Sequence, residues 1–233
     1  MSDGNDLNIG FDRPKTAPLL GTVKLYHRHL LICTGQSDWP RHIDQDGGFG
    51  QALSEAVAAR AAEMTRLVKI TMCDAPSRGD GYDLLVWPDQ VRYFGLHADD
   101  LPLLVEDHLV HNRVSPRLVH APLSGPHILI CTHGQRDARC GACGEPLRAR
   151  FRRELEARGL AIPVLATSHV GGHEYAGNVL IYPEGDWYGY ITPDDVPRLI
   201  DQHLLGGQIV RDRWRGRMGL SREAQIEMGQ GVE

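Results

Sequence analysis

Short apolar runs alternate with longer amphipathic ones along this chain, and the alternation occurs twice. Residues 28–33 and 127–131 are compact apolar stretches ending at a cysteine, the pattern of a strand buried on both faces. A helical stretch follows each, over 50–63 and 145–158. In the second, Leu147, Phe151 and Leu155 recur every fourth residue with arginines between them, so one face is apolar. A second apolar run covers 67–72 and 162–167. Each copy then has a hairpin, turning at Pro-Asp-Gln or at Pro-Glu-Gly-Asp, and a last helix. In the second copy that helix starts after Thr192-Pro-Asp-Asp, a cap followed by proline and two acids, and Gly206-Gly207 ends it.

The two copies match in detail. His29-Leu-Leu-Ile-Cys-Thr repeats as His127-Ile-Leu-Ile-Cys-Thr at an offset of 98, and Asp83-Leu-Leu-Val-Trp-Pro as Asn178-Val-Leu-Ile-Tyr-Pro at 95. Matches in the same order at nearly constant offset indicate an internal repeat. Strand, helix, strand, hairpin, helix is the thioredoxin-like order. The expectation is therefore an α/β chain, a tandem duplication of a thioredoxin-like fold. Each copy should have a mixed four-stranded sheet with flanking helices, its first two strands parallel because a helix joins them. The expected layout is a loosely attached lead-in over 1–23, a degenerate repeat over 24–112, a second repeat over 124–220 and a frayed tail over 221–233. Asn112, Pro116, Pro122, Gly125 and Pro126 punctuate the join.

Composition narrows the function. With 42% apolar and 24% charged residues among 233, the chain reads as a soluble globular protein. A net charge of −5 argues against general nucleic-acid binding. No run approaches the roughly 18 apolar residues of a membrane helix, and the polar N-terminus lacks a signal-peptide core, so the cytoplasm is the expected compartment. There, five grouped cysteines point to metal or redox chemistry rather than to structural disulfides.

The chemistry concentrates in the second copy. Eight residues separate Cys131 from Cys140, and three separate His169 from His173. Two thiols and two imidazoles in pairs at strand ends are the sequence form of a metal or iron–sulfur site. A structural zinc site would take the same donors, although such sites usually place their cysteines closer together. Cys140-Gly-Ala-Cys143 before a helix also resembles a thiol–disulfide exchange motif, but in thioredoxins that motif directly follows the first strand. The first copy keeps Cys33 and Cys73, too few donors for a binuclear cluster.

Residues 131–141, CTHGQRDARCG, and 169–178, HVGGHEYAGN, resemble the signatures of the sucrase/ferredoxin-like family, thioredoxin-like [2Fe-2S] proteins with two cysteine and two histidine ligands. The end of the second copy also resembles bacterial thioredoxin-like ferredoxins that use four cysteines. The resemblance implies one [2Fe-2S] cluster on Cys131, Cys140, His169 and His173, with the thiolates on one iron and the imidazoles on the other. With two thiolates the oxidised site is neutral, so its potential should exceed that of plant-type ferredoxins, and reduction should take up a proton at high enough pH. An electron carrier is expected rather than a catalyst with its own substrate. Around the ligands, His133, Arg136, Asp137, Arg139, Gly171 and Gly172 are expected to support the site. Gly171 and Gly172 would aim amides at sulfur, the arginines would favour the reduced state, and Asp137 would fix either a histidine or Arg136. Cys143 falls outside the pattern. Arg211, Arg213, Arg215 and Arg217 form a basic stretch that either docks an acidic redox partner or lies on a solvated helix face.

Overall fold

The structure is a computed structural model, and it describes residues 10–12, 15–45 and 47–231. The remaining parts of the expected lead-in and tail lie outside the described residues. The strands are β1 (Arg28–Cys33), β2 (Val68–Cys73), β3 (Tyr82–Trp87), β4 (Val91–Leu96), β5 (His120–Pro122), β6 (His127–Cys131), β7 (Val164–Thr167), β8 (Val179–Tyr182), β9 (Asp186–Tyr188) and β10 (Trp214–Arg217). The helices are α1 (Phe49–Ala59), α2 (Leu101–Leu104), α3 (Ala138–Ala157), α4 (Val196–Arg198) and α5 (Arg222–Gln230). Helices α2 and α4 both continue into a π-helical turn, Val105–Val110 and Leu199–Leu205. No described helix is long and apolar enough to cross a membrane.

The strands form one mixed sheet of ten, in the order β10-β9-β8-β6-β7-β2-β1-β3-β4-β5. Two separate four-stranded sheets are thus not what forms. The orders β7-β6-β8-β9 and β2-β1-β3-β4 correspond, with β1 parallel to β2 and β6 parallel to β7, as helical crossovers require. The antiparallel pair Cys73↔Thr167 joins them at β2–β7. Asp74 strengthens this short seam by accepting the Ala166 N–H (2.8 Å) and pairing with Arg148. Ser168 adds a two-way bond to Met72, donating from its N–H and accepting at its Oγ, both at 2.9 Å. The join at 112–124 contributes β5, an edge strand on β4. The expected frayed tail is largely α5, capped by Ser221 Oγ and fixed by the buried Gln225.

Alternation along the strands divides the core. Leu30, Ile32, Leu84 and Val86 face α1 and α2, while Ile128, Ile130, Val179 and Ile181 face α3 and α4. The alternate residues of both halves, Leu31, Leu85, Trp87, Leu129, Leu180 and Tyr182 among them, meet in one shared cluster. On a flat sheet β3 and β8 would stand roughly 24 Å apart, at about 4.8 Å per strand. Yet the Trp87 and Tyr182 rings stack with centroids 5.1 Å apart. The sheet therefore folds over at the β2–β7 seam so that its halves face each other. A buried polar chain crosses this interior: Trp187 Nε1 donates to Tyr26 Oη, Tyr26 bonds Tyr182, and His29 bonds Tyr182 and Thr71.

Candidate metal centre

Local sequence brings the two thiols together. Asp137 is extended, and its Oδ1 accepts the Arg139 N–H at 3.0 Å, capping α3. The helix consequently begins at Ala138 rather than near Glu145, and Pro146 lies inside it. Cys140 thereby falls in the first helical turn, at the positive end of the helix dipole. Glycine allows this helix to sit directly on the strand end. A Cβ at Gly144 would lie 2.7 Å from Cys131 O, and one at Gly141 would lie 2.9 Å from Gly134 Cα.

The imidazoles come from the loop after β7. The His169 N–H donates to His133 Nδ1 at 3.1 Å. Gly171 and Gly172 then take positive φ (95° and 70°), a region that disfavours other residues. Asn178 Nδ2 donates to Gly172 O (2.9 Å), and Arg215 donates to Asn178 Oδ1 (2.7 Å), which braces the loop from behind.

The sulfurs of Cys131 and Cys140 and a ring nitrogen of His169 all lie within 4.8 Å of one another. Cys140 Sγ is 4.0 Å from His169 Nδ1. Among the described residues no other three histidines, cysteines or acids are grouped this way. His173 stands beside the group, its ring centroid 6.1 Å from that of His169 and its Nδ1 3.9 Å from Asp137 Oδ2. Its side chain is 47% exposed, whereas both thiols are buried. The centre is thus closed on its sulfur side and open on its imidazole side.

The sulfur side favours negative charge. A hydrogen bond from the Cys140 thiol holds Cys131 well below the usual thiol range against the cost of burial, helped by His169 and the Val170 N–H. Cys140 is correspondingly raised, because the hydrogen bond to Cys131, burial and the neighbouring thiolate all oppose a second ionisation. A bound cation would relieve that opposition, since it takes both sulfurs as thiolates. The soft, paired donor set therefore fits a thiophilic metal or an iron–sulfur cluster.

The other expected residues take varied places. His133 is spoken for at both ring nitrogens, since Nδ1 accepts from His169 and Nε2 bonds Trp39 O at 3.0 Å. It orients the site and is not free to ligate. Arg136 turns away to His42 and Arg41 O. Asp137 holds Arg139, not Arg136, and that pairing reduces the positive charge Arg139 offers to the site. The amide that reaches Cys131 sulfur is Val170's, and Gly171 and Gly172 shape the turn after it. Cys143 is buried one turn along α3. Cys33 and Cys73 are buried with their sulfurs 3.8 Å apart.

The basic stretch is a strand and its approach, not a helix face, and its arginines are engaged within the chain. Arg215 is 2% exposed and so cannot contribute to a docking patch. Arg211 caps the end of α5 at Met228 O and Gly229 O, Arg213 meets Asp195, and Arg217 forks onto the buried Asp186.

Sequence reasoning missed Trp39, the Val170 amide and the pair Gly141 and Gly144, and it read Arg215 as part of a basic stretch rather than as the brace on Asn178. Only the glycines carried a signal: two glycines three apart on one helix face mark a close approach.

Residues 19–216 match the family described as sucrase/ferredoxin-like. Among curated proteins, the chain is 42% identical over 94 residues to altered inheritance of mitochondria protein 32 of Debaryomyces hansenii, covering 38% of this chain and 34% of that protein. It is 27% identical to actin patches distal protein 1 of Saccharomyces cerevisiae, covering 81% of this chain and 72% of that one. The match therefore spans about a third of the first relative's own length. A solved thioredoxin-like [2Fe-2S] ferredoxin from Aquifex aeolicus is 20% identical with a TM-score of 0.37, over 40% of this chain and 93% of that one.

Proposed function

The chain belongs to the sucrase/ferredoxin-like family, and from that premise we propose that it is a one-electron carrier holding a single [2Fe-2S] cluster on Cys131, Cys140, His169 and His173. The observation that carries this reading is the meeting of two thiols and an imidazole within 4.8 Å, with a second imidazole beside them. When bound, such a cluster supplies a one-electron couple that two thiolates leave neutral in the oxidised state. Cys131 and Cys140 would bind as thiolates, with the Val170 N–H supporting the first. His133 would keep His169 in register. His173, half exposed and near Asp137, would exchange its outer ring proton with solvent as the charge of the site changes.

Thiol–disulfide exchange is the weaker reading, because it needs an accessible attacking sulfur and both Cys140 and Cys143 are 1% exposed. We also take residues 24–112 and 124–220 as a tandem duplication of a thioredoxin-like unit, of which only the second keeps a cluster. Corresponding strand orders support this, as do the bonds Tyr93–His108 and Tyr188–His203, each 2.7 Å and each reaching from β4 or β9 to a π-helical turn. Docking of an acidic partner would fall to Arg211, Arg213 and Arg217, without Arg215.

The test is the iron, acid-labile sulfide and zinc content of protein purified without oxygen, with its visible spectrum. About two irons and two sulfides per chain are expected. Stoichiometric zinc without sulfide would overturn the reading. Cys131→Ser and Cys140→Ser should lose the colour, while Cys33→Ser, Cys73→Ser and Cys143→Ser should keep it.

A further inference from the structure

A cavity of about 390 Å³ opens beside the metal centre, and His169 forms part of its wall. This is at the small end of the range for small-molecule sites, roughly 300–1,000 Å³. Lys69 and Arg215 line it together with a third cation, Lys24, and with Tyr26 and Trp187. The first two charges flank one indole: Lys69 Nζ and Arg215 Cζ each lie 5.4 Å from the Trp187 ring centroid.

Among the described residues neither Lys69 nor Arg215 has a carboxylate within ion-pair distance, and the Glu174 charge reaches Arg215 only at longer range. Arg215 bonds Thr22 Oγ1 (3.0 Å), Thr22 O (3.2 Å) and Asn178 Oδ1 (2.7 Å), all neutral acceptors. A guanidinium has five N–H donors, so these bonds leave one on each terminal nitrogen. Lys69 donates once, to Val170 O at 2.8 Å, which leaves two of its three. Arg215 is buried and Lys69 half-buried, and buried charges are ordinarily paired. The surroundings record the strain of leaving them unpaired. Burial lowers the Lys69 ammonium to about 8, with Lys24 and Arg215 adding to this against a raising pull from Cys131. Burial also lowers Arg215, to about 10.

We propose that this cavity binds a small organic carboxylate, its charged end held by Lys69 and Arg215 and its body against Tyr26 and Trp187. The unused donor on each terminal nitrogen of Arg215 suits the two oxygens of a carboxylate. The aromatic walls call for an organic body, which inorganic phosphate lacks. Glu174, also in the lining, opposes a second negative charge. The carboxylate would be held by Lys69 and Arg215, which are not among the four proposed ligands, although His169 stands in the cavity wall.

The experiment is calorimetric titration of the full chain, as purified with its metal, using benzoate as probe and benzamide and inorganic phosphate as comparators. Benzoate should bind saturably and at least about tenfold more tightly than either comparator. Lys69→Gln should weaken benzoate at least about tenfold, and Lys69→Arg should restore most of the loss. These variants leave the Arg215 brace intact. No saturable benzoate binding up to about 10 mM, equal binding of benzamide, tighter binding of phosphate, or an unaffected Lys69→Gln would each overturn the proposal.

Discussion

The backbone N–H of His169 is held by the ring of His133, which accepts it at Nδ1 across 3.1 Å. The same ring bonds Trp39 O through Nε2, so a loop of the first half reaches the centre through one imidazole. Burial keeps that ring neutral by lowering its pKa, and the neutral form is the one that accepts at one nitrogen while donating at the other. His133→Ala should therefore leave the metal bound in full stoichiometry but about 10- to 100-fold more weakly, the usual effect of losing an orienting contact. Competition with a chelator measures it. Complete loss of metal would instead make His133 a ligand.

Gly144 tests whether the seating of α3 makes the centre. Gly144→Ala changes no donor atom, yet places a methyl group 2.7 Å from Cys131 O. The helix must shift away from β6 and take Cys140 with it. The expected cost is about 1–3 kcal/mol of stability together with a large fall in metal content. Metal analysis and denaturant unfolding on the same sample report both, and full metal retention would show that the contact relaxes without moving the sulfur.

The same helix shows where the sequence was readable and where it was not. Apolar runs such as 28–33 and 127–131 became strands at those residues, because a strand buried on both faces has little other solution. The thiol pair was visible in its spacing. The start of α3 was not, because Pro146 imitates a first-turn proline while the true cap, Asp137, reads as one more charge among arginines. The folding over of the sheet was hidden too. Its seam carries one ladder pair, and its strength comes from Asp74 and Ser168, whose partners lie far away in sequence. Arg215 reads as surface in a run of arginines, yet it is buried on Tyr175 with its Cζ 4.2 Å from the ring centroid.

Arg28 is fully buried, and its one carboxylate partner among the described residues is Asp89, gripped at both oxygens (2.6 and 3.0 Å). Burial would raise the Asp89 carboxyl, but hydrogen bonds from His108 and Arg28 outweigh it and hold the group below its ordinary range. Asp89→Asn leaves the guanidinium charged and unpaired, so a loss of about 3–5 kcal/mol is expected from denaturant unfolding. A loss under about 1 kcal/mol would mean that solvent reaches Arg28.

His29 should make stability depend on pH. It is fully buried between Tyr182 and Thr71, and burial pushes its pKa well below the ordinary histidine value. The unfolded chain therefore binds a proton near pH 6.5 that the folded chain refuses. Its contribution is complete above that pH and falls as the pH drops, by about 1.4 kcal/mol per unit. His127 and His203, also lowered by burial, add to the slope. His29→Gln should remove about one proton's worth of slope between pH 6.5 and 5, whatever its effect on absolute stability. An unchanged slope would mean that His29 takes up its proton in the folded state.

The choice of histidine over cysteine at 169 and 173 has a measurable consequence if the centre is a [2Fe-2S] cluster. Cysteine at either position keeps a metal donor but replaces a neutral ligand with an anionic one. Each exchange makes the oxidised site more negative by one charge, so an added electron meets more repulsion and the midpoint potential should fall. Position 173 is the more informative, because its side chain is 47% exposed and can trade a proton with water, whereas the sulfur side of the centre is closed. The native potential should decline as pH rises wherever a proton accompanies the electron, tending to about 59 mV per unit. The double variant His169→Cys with His173→Cys should give a low potential nearly independent of pH, because no ring remains to carry the proton. Redox titrations of the native and variant proteins across pH, followed in the visible spectrum, separate the two behaviours. A native potential that stays flat from acid to strongly alkaline pH would mean that no imidazole proton moves with the electron, and the exposure of His173 would then need a different explanation.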